Sequence, residues 1–199
     1  MTAAPTFPVI GLTGAVAAGK SEALAAFARL GAETLSADAV VHELLASDRV
    51  RDLLVGRWGE EVAPDGKLDR ERIGAIVFDQ PDQLEWLEQA LHPLVGERMA
   101  AWRAELPPET RAAVVEVPLL FESDLGDAFD ATVAVVADTR ARVQRAGARG
   151  ISDLESRERR QLSQEEKAVR ATYVVRNDGT IEDLEAGIGE ILAHIEDDA

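Results

Sequence analysis

Gly14-Ala15-Val16-Ala17-Ala18-Gly19-Lys20-Ser21 satisfies the pattern G-x-x-x-x-G-K-[ST], and its residue types suit one chemistry, the cradling of a polyphosphate. Glycines let the backbone approach phosphate closely, and successive amides then point into the loop. A lysine at this spacing reaches the β- and γ-phosphates, and the Ser21 hydroxyl completes a Mg²⁺ shell. Seven of the chain's 21 lysines and arginines fall between Arg140 and Arg160: Arg140, Arg142, Arg145, Arg149, Arg157, Arg159 and Arg160. Guanidinium forks match phosphate oxygens bidentately, so this cluster reads as a second polyanion-recognising feature. A solvated helix with i,i+4 ion pairs is the alternative for any single arginine. Two carboxylates stand at the ends of apolar runs. Asp38 follows Glu33-Thr34-Leu35-Ser36 and Glu116 follows Val114-Val115. Either could serve phosphoryl transfer, Asp38 as a proton acceptor and Glu116 as a holder of Mg²⁺ through water. Asp38 would also make a good N-cap for the helix after it.

The elements that must position these groups are legible in outline. Pro8 to Thr13 is an apolar run that reads as a buried strand, and Glu22 to Leu30 is rich in helix-forming alanine and leucine. Strand, loop and helix is the context that gives the P-loop its mechanism, because the helix N-terminus adds positive partial charge. Glu33 to Asp38 reads as a short strand, Ala39 to about Leu54 as a helix, and Trp58 to Asp69, with Gly59 and Pro64-Asp65-Gly66, as loop. Arg70 to Ala104 is helical in pattern, with a break expected at His92-Pro93. Ala112 to Val117 and Ala131 to Val136 are strands apolar enough to be buried on both faces. Arg140 to about Val169 reads as mainly helical, Tyr173-Val174-Val175 as the last strand and Ile181 to Ile195 as the closing helix. Alternation of this kind predicts an α/β fold, a parallel sheet covered by helices on both sides in three layers.

Composition sets the boundaries. The 199 residues are 46% hydrophobic, enough for a packed interior. No apolar run reaches the length of a membrane span, and the N-terminal residues lack the charged start of a signal peptide. With no cysteine, neither disulfides nor thiolate metal sites are available, and a cytoplasmic location is expected. A net charge of −16 argues against general nucleic-acid binding, since the phosphate backbone would be repelled.

Beyond the P-loop, Asp65-Gly66-Lys67-Leu68-Asp69-Arg70, Val77-Phe78, Leu87-Glu88, His92-Pro93, Pro118-Leu119-Leu120-Phe121-Glu122 and Asn177-Asp178-Gly179 occur in order. With them the chain resembles the dephospho-coenzyme A kinases from about residue 8 to about residue 192. The P-loop is shared by many NTPases; the His-Pro and Pro-Leu-Leu-Phe-Glu elements at these spacings are more specific. The resemblance implies ATP- and Mg²⁺-dependent phosphorylation of the ribose 3′-hydroxyl of dephospho-coenzyme A, with neither nucleic acid nor membrane as partner. It also implies a P-loop NTPase core (1–64, 109–139 and 169–199), a helical substrate domain (65–108) and a helical lid (140–168).

Site residues follow by position. The resemblance places Gly14, Ala15, Val16, Ala17, Ala18, Gly19, Lys20, Ser21, Glu22 and Asn177 at the nucleotide, with Ser21 on the metal. It makes Asp38 the carboxylate that accepts or orients the 3′-hydroxyl proton, and Arg145 and Arg149 the lid arginines that clamp the transferring phosphate with Lys20. Arg70, His92, Pro118, Leu120 and Glu122 are assigned to substrate beside Asp38, although Leu119, Leu120 and Phe121 read as core from their apolar character. Trp58, Trp86 and Trp102 read as packing residues. The chain departs from the family pattern at four places, one of them Ala171-Thr172 in place of Ala-Asp before the last strand. Ser36-Ala37-Asp38 replaces Asp-Ala-Asp, Glu22 replaces threonine after the P-loop serine, and alanines 15, 17 and 18 require negative φ inside the loop. Two rivals are another small-substrate P-loop kinase and a regulatory nucleotide switch. No N-K-x-D element occurs, which tells against a guanine-specific switch.

Overall fold

Five short apolar segments pair side by side into one parallel sheet. A computed structural model describes residues 7–78, 80–148 and 161–198. Its strands are β1 (Val9–Gly14), β2 (Glu33–Ser36), β3 (Ala113–Glu116), β4 (Ala131–Val136) and β5 (Tyr173–Arg176), in the spatial order β2-β3-β1-β4-β5. Every pairing is parallel, with Leu12 opposite Glu116 and Val133, and Ser36 opposite Glu116. All residues of β1, β3 and β4 are buried, as helices on both faces of a parallel sheet require.

Period-two alternation divides that burial between two cores. Ile10, Leu12, Val114, Val133 and Val135 project into one face. There they meet Ala23, Ala26 and Phe27 of α1 (Lys20–Arg29) and Leu184, Ile188, Ile191 and Leu192 of the C-terminal helix (Ile181–Asp197). On the other face small residues admit bulky neighbours. The position a Cβ on Gly11 would take lies 3.0 Å from the Phe129 ring and 3.1 Å from Leu120. Thr13, one step on, faces the short helix Gln164–Arg170.

The chain forms two compact units, residues 1–36 with 106–199, and residues 37–105. The second is helical: α2 (Ala37–Leu45), α3 (Asp48–Trp58), α4 (Arg70–Phe78) and α5 (Pro81–Glu105). It has its own core of Val50, Leu54, Val62, Ile73, Leu91 and Leu94. Trp58 and Trp86 pack edge to face at 5.3 Å there, and the Trp58 indole donates to Gln83 Oε1 at 3.0 Å, so packing is the work of both rings. Three expectations change. The helix expected over 39–54 is two helices, parted at Ala46-Ser47, where Ser47 Oγ accepts from the Val50 amide. His92-Pro93 breaks nothing, because α5 runs through Pro93. Proline removes one helical hydrogen bond, but buried Leu91 and Leu94 on either side hold the helix to its core. Helices α2 and α3, read as part of the sheet core, belong to the helical unit.

The remaining helices of the first unit are α6 (Thr139–Ala148), α7 (Gln164–Arg170) and α8 (Ile181–Asp197). Capping boxes start α7 at Ser163 with Glu166 and α8 at Thr180 with Asp183. Arg149, Arg157, Arg159 and Arg160 of the arginine cluster lie outside the described residues.

Candidate active site

The site starts at the carboxyl end of β1, the central strand. After Gly14 the chain turns and enters α1 at Lys20, so the loop amides sit at a helix N-terminus. Two glycines are there for space as well as conformation. A Cβ on Gly14 would come 2.5 Å from the Val135 carbonyl, and one on Gly19 (φ 103°) would collide with Asn177 Nδ2. Ala17 contradicts the expectation of negative φ, for it sits at φ 60°. Alanine there carries the Cβ–carbonyl crowding that glycine avoids.

Lys20 folds back over the loop it follows. Its Nζ donates to the carbonyls of Gly14 at 3.1 Å and Ala15 at 3.2 Å. The ammonium is thus at the mouth of the cradle, within reach of whatever the loop amides hold. Ser21, in the first turn of α1, is exposed. A hydroxyl at that place fits Mg²⁺, which prefers hard oxygen donors and completes its shell with phosphate oxygens and water. Glu22 turns away, its carboxylate paired with Arg29 at 3.1 Å, and Arg29 in turn bonds Glu185 of α8 at 2.6 Å. Only its backbone is left to serve the loop.

Arginines of α6 brace the loop from behind. Arg142 Nε donates to the Val16 carbonyl at 3.1 Å. Arg145 reaches the Ala18 carbonyl at 3.3 Å and both oxygens of Asn177, the backbone one at 2.8 Å and Oδ1 at 3.3 Å. Asn177, buried just after β5, closes the ring by donating Nδ2 to the Ala18 carbonyl at 2.9 Å. Burial lowers the Arg142 pKa from its ordinary value, opposed by Glu165. The structure therefore brings Lys20, Arg145 and Asn177 together around one loop, with Arg145 bridging Ala18 of the loop and Asn177 beyond β5.

The other expected residues of this unit fall at the carboxyl ends of the strands or just beyond. Glu116 is buried at the end of β3, opposite Ser36. Pro118 and Glu122 are half-buried, while Leu120 is fully buried against the sheet and belongs to the core. Glu122 Oε1 is held by Lys167 Nζ at 3.0 Å and by the Leu162 amide at 2.8 Å.

In the helical unit, Asp38 is exposed in the first turn of α2, two residues past the end of β2. Arg70 opens α4 and approaches His42 of α2, its guanidinium 3.4 Å from Nδ1 and 3.5 Å from the carbonyl. His42 lies one turn beyond Asp38 on the same helix. His92 is exposed in the middle of α5. Sequence reasoning missed two participants, His42 and Lys167, and read Arg142 only as a member of the arginine cluster. The cluster pointed to Arg142, but not to its bond with the Val16 carbonyl. A lysine's complete burial leaves no mark on the sequence.

Comparison with known proteins agrees with this geometry. The family model described as dephospho-CoA kinase matches residues 8–183. A dephospho-CoA kinase of Protochlamydia amoebophila is 34% identical over 193 residues, covering 94% of this chain and 95% of its own. Among solved structures, TT1252 from Thermus thermophilus superposes with a TM-score of 0.83 at 34% identity, over 94% of this chain and 97% of its own. A dephospho-CoA kinase from Campylobacter jejuni shares the fold at 23% identity, with a TM-score of 0.65 over 94% of this chain and 97% of its own. A parallel sheet with a P-loop at its centre, matched across nearly its whole length, places the chain in the dephospho-CoA kinase family.

Proposed function

We infer that this kinase transfers the γ-phosphoryl group of ATP to the ribose 3′-hydroxyl of dephospho-coenzyme A, giving coenzyme A and ADP. The observation that carries the reading is a complete P-loop, with Lys20 over its mouth, in a chain matched by the family model from residue 8 to 183. Phosphoryl transfer asks for positioning and charge neutralisation more than for covalent help. In this reading the amides of residues 14–22 hold the triphosphate, and Lys20 moves from the Gly14 and Ala15 carbonyls to its β- and γ-oxygens. Ser21 is the protein ligand of Mg²⁺, which supplies charge neutralisation when bound. Asp38 accepts the 3′-hydroxyl proton as the acceptor oxygen attacks phosphorus. Asn177 meets the nucleotide base, and Arg145, beside the Ala18 carbonyl, is the cation offered to the phosphates; Arg149 lies outside the described residues. Arg70, His92 and Pro118 are the residues proposed for dephospho-coenzyme A, while Glu122 Oε1 is committed to Lys167 and the Leu162 amide.

Product identification tests the reading. Incubation with ATP, Mg²⁺ and dephospho-coenzyme A should yield a product heavier by one phosphoryl group, whose ³¹P resonance reports a new monoester at the 3′ position. A monoester elsewhere, or ATP hydrolysis without transfer, contradicts it. For Asp38→Asn we expect kcat to fall by about 10²-fold or more with ATP still bound. Near-normal turnover would remove Asp38 from the mechanism.

A further inference from the structure

Lys167 lies in α7 with no exposed surface, the one buried cation among the described residues. Its Nζ donates to the Pro118 carbonyl at 2.5 Å, to Glu122 Oε1 at 3.0 Å and to Thr13 Oγ1 at 3.5 Å. The Thr13 hydroxyl bonds the same Pro118 carbonyl at 3.3 Å. Three donors thus meet three acceptors, and each acceptor sits at a telling place. Thr13 is the residue before the first P-loop glycine. Pro118 and Glu122 bracket the Pro-Leu-Leu-Phe-Glu segment beyond β3. Glu122 also takes the Leu162 amide at 2.8 Å, so the chain returning from the arginine-rich segment ends on the same carboxylate.

Burying an ion pair in this way is seldom the most stable solution, since well-packed apolar residues of similar volume do as well or better. Desolvation lowers the Lys167 pKa, with Glu122 opposing. What the pair supplies instead is registry. An ammonium with three directional acceptors fixes the end of β1, the 118–122 segment and α7 against one another, where an apolar contact would let them slide.

We propose that Lys167 is a positioning residue for phosphoryl transfer: paired with Glu122, it sets the P-loop in register with the Pro118–Glu122 segment and with α7. The proposal rests on the kinase reading above. It separates chemistry from nucleotide binding, because the loop's own shape is held independently by Arg142, Arg145 and Asn177.

The test is steady-state kinetics on Lys167→Met combined with Glu122→Leu, a change that leaves no unpaired buried charge, beside Thr13→Val, which removes only the shared hydroxyl. Thermal midpoints are measured on the same samples. The double variant should melt within a few degrees of the parent and keep KM for ATP within about threefold, while kcat drops at least tenfold. Thr13→Val should shift kcat in the same direction by two- to fivefold. Parental kcat in both variants, or a loss of kcat matched by an equal rise in KM for ATP, overturns the positioning role. Absence of turnover in the parent would instead overturn the kinase reading, so the two failures are told apart.

Discussion

At the scale of single residues, the P-loop is built by backbone conformation as much as by Lys20. Ala17 at φ 60° is the exception in a loop whose other tight positions are glycine. Ala17→Gly should therefore stabilise the protein by about 0.5–1 kcal/mol, raising the thermal midpoint by about 1–4 °C for a chain of this size. An unchanged or lower midpoint would show that the extra chain entropy of glycine outweighs the relieved crowding. Gly19→Ala goes the other way. A methyl there collides with Asn177 Nδ2, opening the ring formed with Arg145 and Ala18. ATP affinity should fall at least tenfold, measurable by calorimetric titration. Lys20, Gly14 and Gly19 were legible because spacing alone identifies them. The bracing role of Arg145 was not, since which acceptor a guanidinium finds depends on α6 packing. Glu22 shows the same limit. Its departure from the family pattern is absorbed by Arg29, seven residues on.

At the scale of elements, strands and helix types were readable where periodicity is strong. The continuous apolar runs of β1 and β4 carry burial on both faces, and α1 follows from its alanines and leucines. Boundaries inside the helical region were misread because proline was given more weight than packing. Pro93 sits within a helix of 25 residues, whereas the true parting lies between Phe78 and Pro81, where proline opens the next helix. Pro93 is exposed, so replacing it by alanine forfeits little burial and restores a backbone donor. Pro93→Ala should raise the stability of the helical unit by about 1–3 kcal/mol, read as a higher urea midpoint. A lower midpoint would mean that the helix is shaped around the proline. The division of the chain at Ala37 escaped the sequence because helices α2 and α3 carry apolar faces that suit either core. Val50 and Leu54 choose the one built with Ile73, Leu91 and Leu94.

At the scale of the whole molecule, a net charge of −16 coexists with carboxylates held in specific bonds. The Asp138 amide holds the Asp178 carboxyl below its usual range, against partial desolvation and with help from Arg176. Arg111 does the same for Glu196. Such groups contribute stability that is complete above their unfolded pKa, near 4, and is lost as pH falls through their lower folded values. The urea midpoint should be level between pH 7 and about 5 and fall below about 4. A midpoint that rises on acidification would show that relief of negative self-repulsion dominates. Function was readable at this scale before structure, because the P-loop and the Pro-Leu-Leu-Phe-Glu element carry their order in the sequence itself. The ion pair beneath them was not readable, since Lys167 and Glu122 stand on separate elements and meet only when the chain folds. No helix among the described residues is long and apolar enough to cross a membrane. The central claim, that the Lys20 loop drives phosphorylation of dephospho-coenzyme A, is tested most directly by initial rates with ATP and Mg²⁺. Dephospho-coenzyme A would be compared with AMP and adenosine as acceptors, for the parent and for Lys20→Ala. The account predicts turnover on dephospho-coenzyme A alone, reduced by on the order of 10²-fold or more in Lys20→Ala. Equal rates on all three acceptors, or a Lys20→Ala variant as fast as the parent, would contradict it.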